Sequence, residues 1–243
     1  MTFPPFTDLE ALASTLKKNG RHSTLKKVLM QAWRTESCLG DLRQSQDCCN
    51  IIRKNLERPK AEYTLEHHTI ERSLLTTAIL LYARATDTGG KGEERGAIQL
   101  QQGQLTKDQW QDHQALISIR NQSLAHVNPT HVVDERFWHR IILFAIRTAS
   151  GIWRPACATN ETGFHLETFQ RLERMLPIAS EIILPKFQKR MKAVSDQLNE
   201  SNLDERTFFE NQFNPVKVFG SEAAVQRLLA GSVNATDAFW VND

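Results

Sequence analysis

Apolar residues recur at intervals of three or four positions along most of this 243-residue chain, and this spacing is the feature that most limits its fold. Such spacing places apolar side chains along one face of an α-helix. Alternating β-branched runs bounded by tight turns, which would indicate strands, are scarce. We therefore predict an all-α fold, a helical bundle over residues 1–199 followed by a C-terminal extension over 200–243 with helical and irregular parts.

Capping residues, glycines and prolines give approximate bounds for the helices. The second helix can run unbroken or break near Gly40. Pro177 and Pro185 are expected to interrupt the long sixth helix, because proline removes a helical hydrogen bond. The extension is expected either to pack on the bundle or to be partly flexible. The residues that could pack are Phe208, Phe209, Phe213, Phe219, Phe239 and Trp240. The predicted helices cover residues 7–20, 23–59, 64–85, 106–126, 137–153, 168–198 and 222–229.

The segment FWHRIILFAIRTASGIW is the most apolar of these predicted helices. Trp138, Ile141, Ile142 and Ala145 would lie along one face of it, so the face is expected to be core or a seam between two copies.

Composition and charge limit the class of protein. The chain is 40% hydrophobic and 24% charged, and its net charge of +2 gives no overall basic field for nucleic acid. Its apolar runs are shorter than the ~20 residues of a membrane helix, and the N-terminus lacks the order of a signal peptide. The spacing of the four cysteines fits neither a zinc site nor an obvious disulfide framework. We expect a soluble, cytoplasmic protein without a membrane partner.

The stretch ISIRNQSLAHVNP, residues 117–129, places Arg120, Asn121 and His126 at the end of a predicted helix, before Pro129. A helix turns about 100° per residue, so Arg120 and His126 would lie roughly 120° apart on an unbroken helix. Either the helix unwinds near His126 or a second copy of the chain completes the site. His113 falls on the same helical face as Arg120.

An arginine, a polar residue, a short spacer and then Ala-His before a loop resembles the signature of HEPN domains. Their motif is an arginine followed after four to six residues by a histidine, and here five residues intervene. The stretch LLYARATDTGG also resembles the preceding helix of some HEPN proteins. The resemblance covers about residues 20–155 and implies a HEPN-like up-and-down bundle.

Many HEPN domains are homodimeric, metal-independent ribonucleases, so the resemblance implies RNA as substrate and no cofactor or metal. On this analogy Arg120 holds the scissile phosphate, His126 moves protons during attack by the ribose 2′-OH, and Asn121 orients either group. His113, Tyr82 and Arg84 are further candidates for substrate contact.

The resemblance also implies a toxin or defence effector, with an antitoxin or another regulatory protein as a possible partner. HEPN toxins often carry a tyrosine two positions after the histidine, where an antitoxin attaches nucleotides. Asn128 stands there in this chain.

Two other interpretations stay open. The chain can be a non-catalytic HEPN-like binding or regulatory module. Alternatively, Arg120 and His126 only stabilise a helix end in an unrelated helical protein. His67 and Glu71 have a spacing that can hold a metal, but no third ligand is evident, and we assign them to the start of a helix.

Overall fold

The computed structural model describes residues 6–18, 23–59, 62, 64–87, 89, 95–124, 132–133, 136–137, 139–161, 164–200 and 203–230. Most of these residues are helical, as predicted. The helices are α1 (Leu9–Lys18), α2 (Ser23–Leu56), α3 (Leu65–Thr86), α4 (Lys107–Ile119), α5 (Leu166–Glu200), α6 (Glu205–Glu210), α7 (Pro215–Phe219) and α8 (Glu222–Leu229). A 3-10 turn at Gln102–Gln104 precedes α4, and a π-helical turn at Arg120–Leu124 follows it.

Side-chain caps explain where several helices begin. The Asp8 carboxylate accepts hydrogen bonds from the backbone N–H groups of Glu10 and Ala11. Thr64 and His67 form a reciprocal capping box at the start of α3, and Thr106 and Gln109 form another at the start of α4. These bonds satisfy N–H groups that a helix N-terminus otherwise leaves without partners. The predicted starts of these helices are confirmed.

The expected breaks in the long helices are absent. α2 continues through Gly40, and α5 continues through Pro177 and Pro185. Both prolines are exposed, so the carbonyl group that each leaves without a helical N–H donor lies on the solvent side. The interruptions expected at the two prolines were therefore wrong, and of the two alternatives at Gly40 the structure has the unbroken helix.

Residues 137–153 do not form the predicted helix. β3 (His139–Arg147) and β4 (Trp153–Glu161) form an antiparallel hairpin in which Leu143 lies opposite Cys157. Gly151 in the turn has a φ of 81°, a left-handed conformation that glycine adopts without strain. Ile142 and Ala145 are exposed, so they are not core residues, and the alternative, a seam between two copies, stays a prediction. Trp138 lies outside the described residues. A second small pair joins β1 (Val132–Val133) to β2 (Arg136–Phe137).

The chain divides into two compact units. The terminal unit comprises residues 1–32 and 190–243, and the central unit comprises residues 33–189. The predicted boundary at residue 199 stays a prediction. Among the described residues, no helix is long and apolar enough to cross a membrane.

Each unit has a hydrophobic core of its own. In the central unit it is formed by α2, α3, α4 and α5, with Leu42, Ile52, Leu75, Ile79, Leu116, Ile119, Leu172, Met175 and Leu176 among its buried residues. In the terminal unit the core includes Leu12, Ala13, Leu16, Leu25, Leu29, Ala32 and Val194.

Aromatic residues of the C-terminal extension pack within the terminal unit. Phe208 packs against its core. Phe213 contacts the rings of Phe6 and Phe219, with centroid distances of 5.6 and 6.4 Å. Phe209 is exposed. Phe239 and Trp240, also expected to pack, lie outside the described residues.

Candidate functional site

Arg120 and Asn121 lie at the point where α4 changes into a π-helical turn. The backbone N–H of Arg120 still donates to the carbonyl groups of Leu116 and Ile117. Leu116 and Ile119 are buried in the central core, which fixes the end of α4. Single π-helical turns are rare and occur frequently at functional sites. The motif therefore starts at a local departure from regular helix geometry.

The Arg120 guanidinium is held by the neighbouring amide. Its Nη1 donates a hydrogen bond of 2.7 Å to Oδ1 of Asn121, and both residues are half-buried. Within the described part of the chain, no carboxylate forms an ion pair with Arg120. A guanidinium has five N–H donors, and a single amide oxygen occupies one of them. Asn121 thus positions Arg120, and no carboxylate of the described residues occupies the remaining donors of its guanidinium.

His126 lies outside the described residues, as do Ala125 and residues 127–131. Its distance from Arg120 and its proposed role stay predictions. The expected angle of roughly 120° assumed regular α-helical geometry between the two residues. That assumption does not hold, because the π-helical turn spans Arg120–Leu124 and bonds residues five apart. The change of helix geometry begins earlier than the sequence indicated.

Tyr82 and His113 meet in the central core. Tyr82 comes from α3 and His113 from α4, and the Tyr82 hydroxyl lies 2.9 Å from Nδ1 of His113. Their exposed fractions are 0% and 1%. The ring of Trp110 lies beside His113, with 5.3 Å between centroids. In this conformation neither Tyr82 nor His113 presents surface to a ligand, and their contact with RNA stays a prediction.

Burial shifts the acid–base behaviour of this pair. Desolvation lowers the pKa of His113, with a smaller opposing effect from the Asp87 carboxylate. Desolvation also raises the pKa of the Tyr82 hydroxyl. Both shifts favour the neutral forms of the side chains, which suits a hydrogen bond within an apolar core.

Arg84 is paired with a buried acid. Its guanidinium donates to Asp41 through Nε and Nη2, and Arg95 also pairs with the Asp41 carboxylate. The Asp41 side chain is 6% exposed and that of Arg84 57%. The hydrogen bond to Asp41 raises the pKa of Arg84. In the residues that the structure describes, no contact joins Arg84 to Arg120. Arg84 therefore pairs with Asp41 and does not extend the site at Arg120.

Asp41 was missed from the sequence. Trp110 was interpreted as a core or interface residue, but its contact with His113 was not predicted. Trp110 stands three residues before His113, a helical spacing that could have identified it. Asp41 is 43 residues from Arg84 and had no local signal. Among the described residues, no group of three or more His, Cys, Asp or Glu side chains could hold a metal ion.

Comparisons of this chain with protein-family models, with curated proteins and with solved structures each gave no match.

Proposed function

We propose that this chain is a metal-independent endoribonuclease of the HEPN type, acting as a homodimer in the cytoplasm as a toxin or defence effector. The observation that carries the proposal is the state of Arg120. Its guanidinium is oriented by Asn121 and forms no ion pair with a carboxylate of the described residues. An arginine with a purely structural role commonly pairs with an acid, as Arg84 does with Asp41.

The proposed reaction uses the RNA itself as nucleophile. The ribose 2′-oxygen attacks the adjacent phosphorus while the bond from phosphorus to the 5′-oxygen breaks. The products are a 2′,3′-cyclic phosphate and a free 5′-hydroxyl. His126 accepts the 2′-OH proton or supplies the proton that the leaving 5′-oxygen needs, because imidazole titrates near neutral pH. The two histidines of a dimer can divide these tasks.

Arg120 stabilises the negative charge that develops in this mechanism. Negative charge grows on the non-bridging phosphate oxygens as the 2′-oxygen attacks, and a planar guanidinium matches two of those oxygens. Asn121 fixes the guanidinium before the substrate arrives, so less reorganisation is needed in the transition state. Loss of one such donor group typically lowers the rate by about 10²–10³-fold.

The test is cleavage of RNA by the purified protein with EDTA present. The wild type is expected to produce cyclic-phosphate ends, and Arg120→Ala is expected to be slower by about 10²–10³-fold. His126→Ala should also lose cleavage. Arg206→Ala is the matched control, because Arg206 is an exposed arginine that pairs with Glu210. It should cleave at the wild-type rate.

Each outcome decides between the functions. Equal cleavage by the wild type and both motif variants would assign the activity elsewhere and contradict the proposal. No cleavage by the wild type, combined with RNA binding that Arg120→Ala weakens, would instead favour a non-catalytic binding module. An antitoxin or regulatory protein is part of the same proposal, and a partner would be sought by its ability to suppress cleavage.

A further inference from the structure

The β3–β4 hairpin exposes large apolar side chains on both of its faces. Every residue from Ile142 to Arg147 is exposed. Leu143 is 83% exposed, and Trp153 near the turn is 64% exposed. Successive residues of a strand point to opposite faces, so Ile142, Phe144 and Ile146 share one face while Leu143 lies on the other. A contiguous apolar surface of this kind commonly marks an interaction site.

The two edges of the hairpin differ in their capacity to accept another strand. The N–H of Thr148 donates to the carbonyl of Ile152 at 2.9 Å, which makes these opposed residues a hydrogen-bonded pair. Hydrogen-bonded and non-hydrogen-bonded pairs alternate along an antiparallel ladder. Ala145 and Pro155 therefore form a non-hydrogen-bonded pair, and the nitrogen of Pro155 faces away from β3. Because proline has no N–H, the outer edge of β4 lacks a donor at its centre.

The outer edge of β3 has no such interruption. The same alternation directs the backbone N–H and C=O groups of Ile141, Leu143 and Ala145 away from β4. Among the described residues, β3 pairs only with β4. Its two arginines, Arg140 and Arg147, stand near its ends, and residues 141–146 contain neither a charged residue nor a proline, with which proteins often protect an open edge. An edge of this composition is a template for pairing with another strand.

We infer that the outer edge of β3 pairs antiparallel with β3 of a second copy of this chain, with Leu143 opposite Leu143 on the two-fold axis. The result is a continuous four-stranded sheet in the order β4, β3, β3, β4. This inference does not depend on the proposed ribonuclease activity.

Register explains why a second copy fits this edge. In an antiparallel pair, two opposed residues either both direct their backbone groups toward the partner strand or both direct them away from it. Pairing centred on Leu143 meets this condition, since it also sets Ile141 opposite Ala145 of the other copy. All nine residues of β3 are then paired, and the contact is identical on both copies, as a two-fold interface requires.

The side-chain types also suit this pairing. Ile142 lies opposite Phe144 of the other copy, and a β-branched residue beside an aromatic one is a favourable cross-strand pair. Arg140 lies opposite Ile146, so no arginine stands directly opposite another arginine. A register shifted by one residue would place Arg140 opposite Arg147, and the direction of the backbone groups excludes that register.

Cysteine substitution along β3 tests this geometry in the full-length protein. The background is Cys157→Ser, which removes the exposed thiol. The Cα atoms of a hydrogen-bonded antiparallel pair lie about 5.5 Å apart, within the ~4.4–6.8 Å that a disulfide spans. Leu143→Cys is therefore expected to cross-link the two copies on mild oxidation. Phe144→Cys is the control, because the two copies of position 144 are diagonal neighbours about 7–8 Å apart.

The wild-type protein, which keeps Cys157, supplies a second control. The two copies of β4 are separated by three strand spacings, or about 14 Å, so Cys157 should not cross-link. Equal cross-linking by Leu143→Cys, Phe144→Cys and Cys157 would overturn the proposed register.

Charge substitution tests the association itself. Leu143→Lys sets two like charges opposite each other on the axis, and we expect it to weaken dimerisation about tenfold or more in sedimentation equilibrium. Ala158→Lys adds the same charge at an exposed position of β4 and should leave the dimer unchanged. A monomeric wild type, or equal weakening by both substitutions, would overturn the inference. The latter result would be expected if the hairpin instead met an apolar surface through its faces.

Discussion

Two polar pairs on one continuous stretch of helix have opposite surroundings. His113 of α4 bonds to Tyr82 and is sealed in the central core, whereas Arg120 bonds to Asn121 just beyond the same helix and is half-buried. Burial lowers the pKa of His113 and raises that of Tyr82, which favours the neutral forms of the first pair, whereas the second pair contains a guanidinium. A helix that presents one face to a core and ends at its edge can thus hold a buried pair and a half-buried polar pair seven residues apart.

The buried pair supports the helix that carries the candidate site. The Tyr82–His113 bond joins α3 to α4, and Trp110 packs beside it. These contacts fix the helix from which the Arg120–Asn121 turn extends. We therefore expect changes in the first pair to reduce stability and changes in the second to reduce activity, with little overlap.

The largest expected effect on stability is that of Tyr82→Ala. Removal of a fully buried aromatic side chain leaves a cavity and an unpaired histidine, so the free energy of unfolding should fall by about 3–5 kcal/mol. Urea denaturation followed by circular dichroism measures the change. Tyr82→Phe is the control that keeps the ring but removes the hydroxyl, and it should cost about 1–3 kcal/mol. Equal losses for both variants would show that the hydrogen bond, rather than packing, carries the stability.

The buried histidine should make stability depend on pH. Burial lowers the pKa of His113 in the folded protein, whereas in the unfolded chain this histidine has its ordinary pKa of 6.5. Below pH 6.5 the unfolded chain therefore binds the proton more readily than the folded protein does. This contribution is complete above about pH 6.5 and decreases as the pH falls toward the lowered pKa of the folded state. One proton gives a slope of at most about 1.4 kcal/mol per pH unit.

The measurement is the free energy of unfolding between pH 5 and 8 for the wild type and His113→Gln. Subtraction of the two curves removes contributions of the other titrating groups. Curves that run parallel across this range would contradict the assignment of the effect to His113.

The smallest expected effect on stability is at the half-buried pair. Arg120→Ala and Asn121→Ala should each change the free energy of unfolding by no more than about 0.5 kcal/mol, because neither residue belongs to the core. The same denaturation assay provides the measurement. A loss as large as that of Tyr82→Phe would mean that Arg120 is structural, and any loss of RNA cleavage in this variant would then follow from unfolding.

Local chemistry made much of the helical fold predictable. Thr64, Thr106 and Asp8 cap helices because their side-chain oxygens satisfy nearby backbone N–H groups, an interaction confined to a few residues of sequence. Non-local effects were not predictable in this way. Pro177 and Pro185 fit inside α5 because they face solvent, and the orientation of a long helix depends on what packs against its opposite face.

The β3–β4 hairpin also depends on non-local contacts that a local sequence pattern does not predict. RIILFAI suits the spacing of a helix and also the alternation of a strand, and such short apolar runs are ambiguous by periodicity alone. Its isoleucines favour a strand, but the choice depends on pairing with residues 153–161 across the turn at Gly151. A strand is stabilised mainly by the strand that pairs with it, and a local sequence pattern does not show which segment that will be.

Local patterns in the sequence were enough to predict the mostly helical class, the starts of α1, α3 and α4, and the position of Arg120 and Asn121 at the end of a helix. Tertiary structure alone decided that Tyr82 and His113 meet in the core, that Asp41 pairs with Arg84, and that residues 139–161 form a hairpin. The physical reason is the range of the interactions. Caps and helical spacing act over three or four residues, whereas burial and pairing join residues that are distant in the chain.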